Sequence, residues 1–112
     1  MKITFFIWLQ AYLMTQALEV PIYLWAARHQ SWPRRLLYAV GASTLTHPLL
    51  WFMFPWFTAP YIPVIVLGET FAYVTEAEWG CWLRVKNPWV WSIVANSASL
   101  SAGLLRDWLG WL

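Results

Sequence analysis

Four apolar stretches of roughly twenty residues, parted only by short polar or proline-bearing breaks, leave this chain few folds to choose from. The breaks read RHQSWPRR at 28–35, PWFTAPYIP at 55–63 and RVKNP at 84–88, each with the Pro or charge that ends or starts a helix. The pattern predicts helices over 3–27, 35–57, 60–84 and 89–112. At 1.5 Å per residue each would match a hydrocarbon layer of about 30 Å. Breaks this short make sequential helices antiparallel neighbours. The expected fold class is therefore all-α, a four-helix transmembrane bundle running up-down-up-down, with the 112 residues forming one integral membrane domain.

Composition points the same way. The chain is 61% hydrophobic and 11% charged, whereas about a quarter of the residues of an ordinary soluble domain are charged. Eleven Trp suit interface anchors, and seven Pro are tolerated in helices whose neighbours satisfy the freed carbonyls. The net charge of +2 comes with no basic patch interleaved with aromatics, so nucleic acid is not an expected partner. Cys81 is the only cysteine, which excludes an internal disulfide and a cysteine-based metal cluster. Lys2 precedes an apolar run as in a signal peptide. That run is long and is interrupted by Gln10, Gln16 and Glu19, so it is expected to be a retained first helix.

Arg28, Arg34 and Arg35 occupy the first break, Arg84 and Lys86 the third, and the second has no basic residue. Read by the excess of Lys and Arg in cytoplasmic loops, this places loops 28–35 and 84–88 in the cytoplasm and both termini outside, in a bacterial-type inner membrane.

Charged groups at membrane depth cost about 2.5–3.5 kcal/mol each and normally face a bundle interior. Helical spacing sorts them here. Glu69, Tyr73 and Glu76 share one face of the third helix, and Glu78 lies opposite. The first helix aligns Tyr12, Gln16, Glu19 and Tyr23. The second aligns Gly41, Thr44 and His47, and the fourth aligns Ser92, Asn96, Ser99 and Gly103. Counted from the basic end, Glu19, Thr44, Glu76 and Asn96 fall in one layer about 10–13 Å deep, with His47 at roughly 17 Å and Glu69 at roughly 21 Å. Pro21 and Pro48 free carbonyls beside this track.

Carboxylates with an imidazole suit a proton or a hard to borderline divalent cation. The expected ion or proton site is Glu19, Glu76, His47 and Glu69, supported by Gln16, Thr44, Tyr73, Asn96 and Ser99. Glu19, His47 and Glu76 are the candidate ligands for a divalent metal ion. The bland alternative is interhelical glue, worth roughly 0.6 kcal/mol per bond, which is small beside the insertion cost of a carboxylate. No nucleophile elbow, His-Glu-x-x-His run or phosphate-cradling loop is present, so catalysis is not the favoured reading. The expected function is a small integral membrane protein that binds or passes a cation, with the bilayer and further copies of itself as partners. The alternative is an accessory subunit of a larger membrane complex, whose polar faces or His47 meet a pigment or partner helices.

Overall fold

A computed structural model describes residues 2–53 and 61–110. Four α-helices account for nearly all of them: α1 (Lys2–Ala26), α2 (Trp32–Met53), α3 (Tyr61–Trp82) and α4 (Pro88–Leu109). The expected break at PWFTAPYIP, with Trp56, lies largely outside the described residues. Each helix packs on two others in the ring order α1, α2, α3, α4, so α1 lies diagonal to α3 and α2 diagonal to α4. The all-α four-helix bundle is thus present, measuring 41 × 25 × 23 Å.

α2 begins three residues before the predicted start. Ser31 precedes the first turn and its carbonyl accepts from Arg35 N at 3.0 Å, while Pro33 sits where the missing N–H has no helical partner to lose. A Pro that reads as a breaker in the sequence is here a helix starter. Pro21 and Pro48 are carried inside α1 and α2.

α3 ends in a six-residue closing motif. Val85 N bonds to Gly80 O at 2.9 Å and Arg84 N to Cys81 O at 3.0 Å, with Arg84 in the left-handed region at φ 61° and Val85 buried. Neighbouring arginines close the carbonyl ends of the helices: Arg34 Nη2 donates to Leu83 O at 2.7 Å, and Arg35 donates through Nε and Nη2 to Leu24 O at 3.1 and 3.0 Å. Gln30 reaches across to Leu83 O and Arg84 O at 2.9 and 3.1 Å, so the first and third breaks form one continuous end.

Two glycines set the closeness of the helices. A Cβ on Gly41 would stand 2.9 Å from the Trp79 ring, and one on Gly80 would stand 2.8 Å from Pro88 Cβ and 3.2 Å from Tyr38 Cε1. The α2–α3 and α3–α4 seams therefore depend on missing side chains.

The expected membrane assignment is corrected here. Among the described residues no helix is long and apolar enough to cross a membrane. Length does not fall short, since 22 residues rise about 33 Å. Apolarity does, because polar groups recur through the middle of each helix: Thr15, Gln16 and Glu19 in α1, Ser43, Thr44 and Thr46 in α2, Glu69, Thr70 and Glu76 in α3, and Ser92, Asn96 and Ser99 in α4. The inner-membrane placement, with termini outside and loops 28–35 and 84–88 cytoplasmic, is overturned with it.

The interior is small and polar. Tyr23, Tyr38, Glu19, Glu76, Thr46, Ser43 and Ser92 are the largest fully buried side chains. Alanines 26, 27, 39, 42 and 95, with Leu83 and Val85, fill the space around the tyrosines. Large apolar side chains such as Leu36, Leu45, Val66 and Ile93 are exposed on the outer faces.

Candidate proton site in the bundle core

Glu19 comes from the middle of α1 and Glu76 from α3, the helix diagonal to it. Both are buried, and each carboxyl acts on the other across the diagonal. Three helices, α1, α2 and α4, supply donors to the pair. Ser43 Oγ of α2 donates to Glu19 Oε1 at 2.8 Å, and Ser99 Oγ of α4 donates to Glu19 Oε2 at 2.6 Å. Thr46 Oγ1 of α2 donates to Glu76 Oε2 at 2.9 Å, Asn96 Nδ2 of α4 to Glu76 Oε1 at 3.1 Å, and the Tyr23 hydroxyl of α1 to Glu76 Oε1. Asn96 is itself held by Ser92, whose carbonyl and hydroxyl accept from Nδ2 at 2.9 and 3.2 Å, while Ser92 Oγ donates to Tyr73 O at 2.7 Å.

Among the described residues no cation balances these carboxyls; the groups acting on them are hydroxyls, an amide and other carboxylates. Burial pushes Glu19 up to about 8, and the Glu76 charge adds to the rise, against the two serine donors. Burial also raises Glu76, with Tyr23, Thr46, Asn96 and Glu19 opposing through their hydrogen bonds. The pair therefore keeps a proton where ordinary carboxylates have lost theirs. In the singly protonated state the charge belongs on Glu76, which accepts three donors, while Glu19 accepts two hydroxyls. Burial and the two acids raise the Tyr23 hydroxyl as well, so it acts as a donor.

The other residues singled out by the sequence are distributed differently. Glu69 lies two turns from Glu76 on the same side of α3 and is half-buried. Burial first and the Glu76 charge second push it up to about 7, with no described donor on it. Glu78 is exposed. Gln16, Thr44 and His47 form a separate cluster between α1 and α2, where Tyr12 Oη meets Thr44 Oγ1 at 2.8 Å and Gln16 Nε2 donates to Tyr12 Oη at 2.7 Å. His47 Nε2 stands 3.4 Å from Thr15 Oγ1, its ring edge-on to Tyr12. Burial lowers His47 to about 4, which leaves it neutral near pH 7. The Tyr73 ring packs on Trp89, and only its carbonyl joins the network. The expected metal set of Glu19, His47 and Glu76 is not assembled, for no three His, Cys, Asp or Glu groups among the described residues come together so as to hold an ion.

Sequence reasoning missed Ser43 and Thr46, choosing the Gly41, Thr44, His47 face of α2 instead. Gly41 is taken up by Trp79, and the inward face is the one bearing Ala39, Ala42, Ser43 and Thr46. The signal was present as a run of small and hydroxyl side chains at helical spacing. Tyr23 was on the right stripe, four residues from Glu19, but was not counted in the site. No family model, curated protein or solved structure matches the chain.

Proposed function

We propose that this chain is a cation-binding helical protein whose cation is the proton, taken up and released by the Glu19–Glu76 pair. The observation that carries the reading is that two buried carboxyls act on one another amid hydroxyl and amide donors, with no counter-cation among the described residues that act on them. Two acids in such contact cannot both ionise cheaply, so their two protons leave in separate steps and the first-held proton stays to high pH. A divalent metal ion is the weaker occupant. The carboxyl oxygens already face O–H and N–H hydrogens from five side chains, and those hydrogens would repel an ion placed on the same lone pairs.

The test is infrared titration of the protonated-carboxyl stretch in the full chain. A buried carboxyl band should persist above the ordinary Glu range and fade as pH passes about 8. It should move to lower pH in Glu76→Gln, which removes the neighbouring charge, and stay unchanged in Glu78→Gln. Loss of all carboxyl signal by about pH 6 would sink the reading, as would a stoichiometric metal in elemental analysis.

A second reading, that the chain is a subunit of a larger assembly, draws on its exterior. Leu36, Leu45, Val66, Ile93 and Leu105 stand exposed on helices whose interiors are polar, an outer surface of the kind partner helices cover. Crosslinking followed by size analysis would separate a lone chain from a homo-oligomer or a complex.

A further inference from the structure

The end of the bundle built from the two breaks gathers Arg28, Arg34, Arg35, Arg84 and Lys86, five of the seven basic residues in the chain. No acidic residue lies in either break, and Glu78 and Glu76 are the nearest in sequence. The guanidinium partners at this end are carbonyls, those of Trp25, Leu24 and Leu83, rather than carboxylates. The positive charge is left for something outside the chain. Around it stand Trp25, Trp32 and Trp82, 59%, 60% and 82% exposed, and next to them the exposed aliphatic side chains of Leu36, Leu37 and Val90.

We propose that this end docks on an anionic lipid surface, with the basic groups among the headgroups and the tryptophans at the headgroup boundary. Charge complementarity selects the partner, since each Lys or Arg near an anionic leaflet contributes about 1 kcal/mol, or about fivefold in affinity. Indole rings with an apolar body and a polar edge settle at that boundary. A single-stranded nucleic acid fits less well. Arg28 already lies over the Trp25 ring at 4.6 Å and Arg35 over the Trp32 ring at 3.8 Å, so these faces are not open to stacking bases. A polynucleotide would also leave the adjoining aliphatic side chains bare.

The position of Arg84 is the independent observation. It occupies the left-handed closing position of α3, at φ 61°, where glycine is the residue of lowest strain. Its side chain is exposed and makes no described bond through its guanidinium, so the fold alone gives no reason for arginine there. A cation needed by a surface outside the chain does.

The full chain, diluted from mild detergent, should be sedimented with vesicles of phosphatidylcholine alone and of phosphatidylcholine mixed with phosphatidylglycerol. Binding should favour the mixed vesicles and weaken in high salt. The double variant R28Q/K86Q should lose about 25-fold in affinity for them, from about fivefold per charge. Arg84→Gly should melt higher than the parent yet bind about fivefold more weakly, a pairing that a merely structural role would not give. Equal binding to both vesicle types would overturn the proposal. So would parental affinity in Arg84→Gly, or displacement of the protein from mixed vesicles by a single-stranded oligonucleotide.

Discussion

Among the four glutamates, environment rather than chemistry decides what each can do. Glu76→Gln keeps the shape and removes the charge from a buried pair. It should leave the melting temperature unchanged or raised, as replacing buried ionic groups often does, while shifting the Glu19 titration downward. Glu69→Gln should move that titration less, since Glu69 is the smallest contributor to the Glu19 rise. Asn96→Ala takes a donor from Glu76 Oε1 and removes the bonds from Asn96 Nδ2 to the Ser92 carbonyl and hydroxyl. A loss of about 1–3 kcal/mol is expected in denaturant unfolding at neutral pH, shrinking at acid pH where Glu76 is neutral. The sequence made Glu19, Glu76, Asn96 and Ser99 legible as one inward layer, because polar residues at helical spacing on an oily rod have few other places to go. It could not reveal that α2 turns Ser43 and Thr46 inward instead of Thr44 and His47. That choice depends on Trp79 seating against Gly41, a contact between residues 38 apart in the chain.

At the scale of the helices, number and order were readable from the spacing of breaks, while boundaries moved, most plainly the start of α2 to Trp32 and the end of α3 to Trp82. The seams were not readable, since nothing local distinguishes a glycine that admits a neighbour from one that admits nothing. Gly80 and Gly103 provide the contrast. Gly80→Ala drives a methyl into Pro88 Cβ, a ring carbon at the start of α4 that cannot swing away, and should cost about 1–3 kcal/mol. Gly103→Ala meets nothing within 4 Å and should instead stabilise α4 by about 0.5–1 kcal/mol. Parallel thermal melts of the two variants check both signs.

For the whole molecule, the raised carboxyls set the direction of its pH response. Glu19 is held protonated in the fold up to about 8 but ionises at about 4.5 when unfolded. Between those values the folded chain binds the extra proton, so stability is fullest below about 4.5 and declines as pH rises through about 8. Melting temperature should therefore fall across that window in the parent. It should fall less in the Glu19→Gln, Glu76→Gln double variant, and a profile that rises with pH would contradict the shared proton. The hydrophobic content of the chain was read as a reason to span a membrane. It is set on the outer faces around a polar core, in helices too polar along their lengths to cross one.

Four rods joined only along their edges form a hinged frame. Edge contacts hold the side lengths but let the square cross-section lean into a rhombus, and only a diagonal strut prevents it. In this bundle the strut is the meeting of Glu19 with Glu76, with the Tyr23–Glu76 hydrogen bond beside it, joining helices whose backbones otherwise do not approach. Removing its proton puts like charges at the two ends of the strut and so pushes that diagonal longer, which geometry converts into a shortening of the other. Spin labels on α1 and α3 should therefore move apart at alkaline pH while labels on α2 and α4 draw together. A single protonation would then be felt at the surface as a change in the outline that a neighbour has to fit.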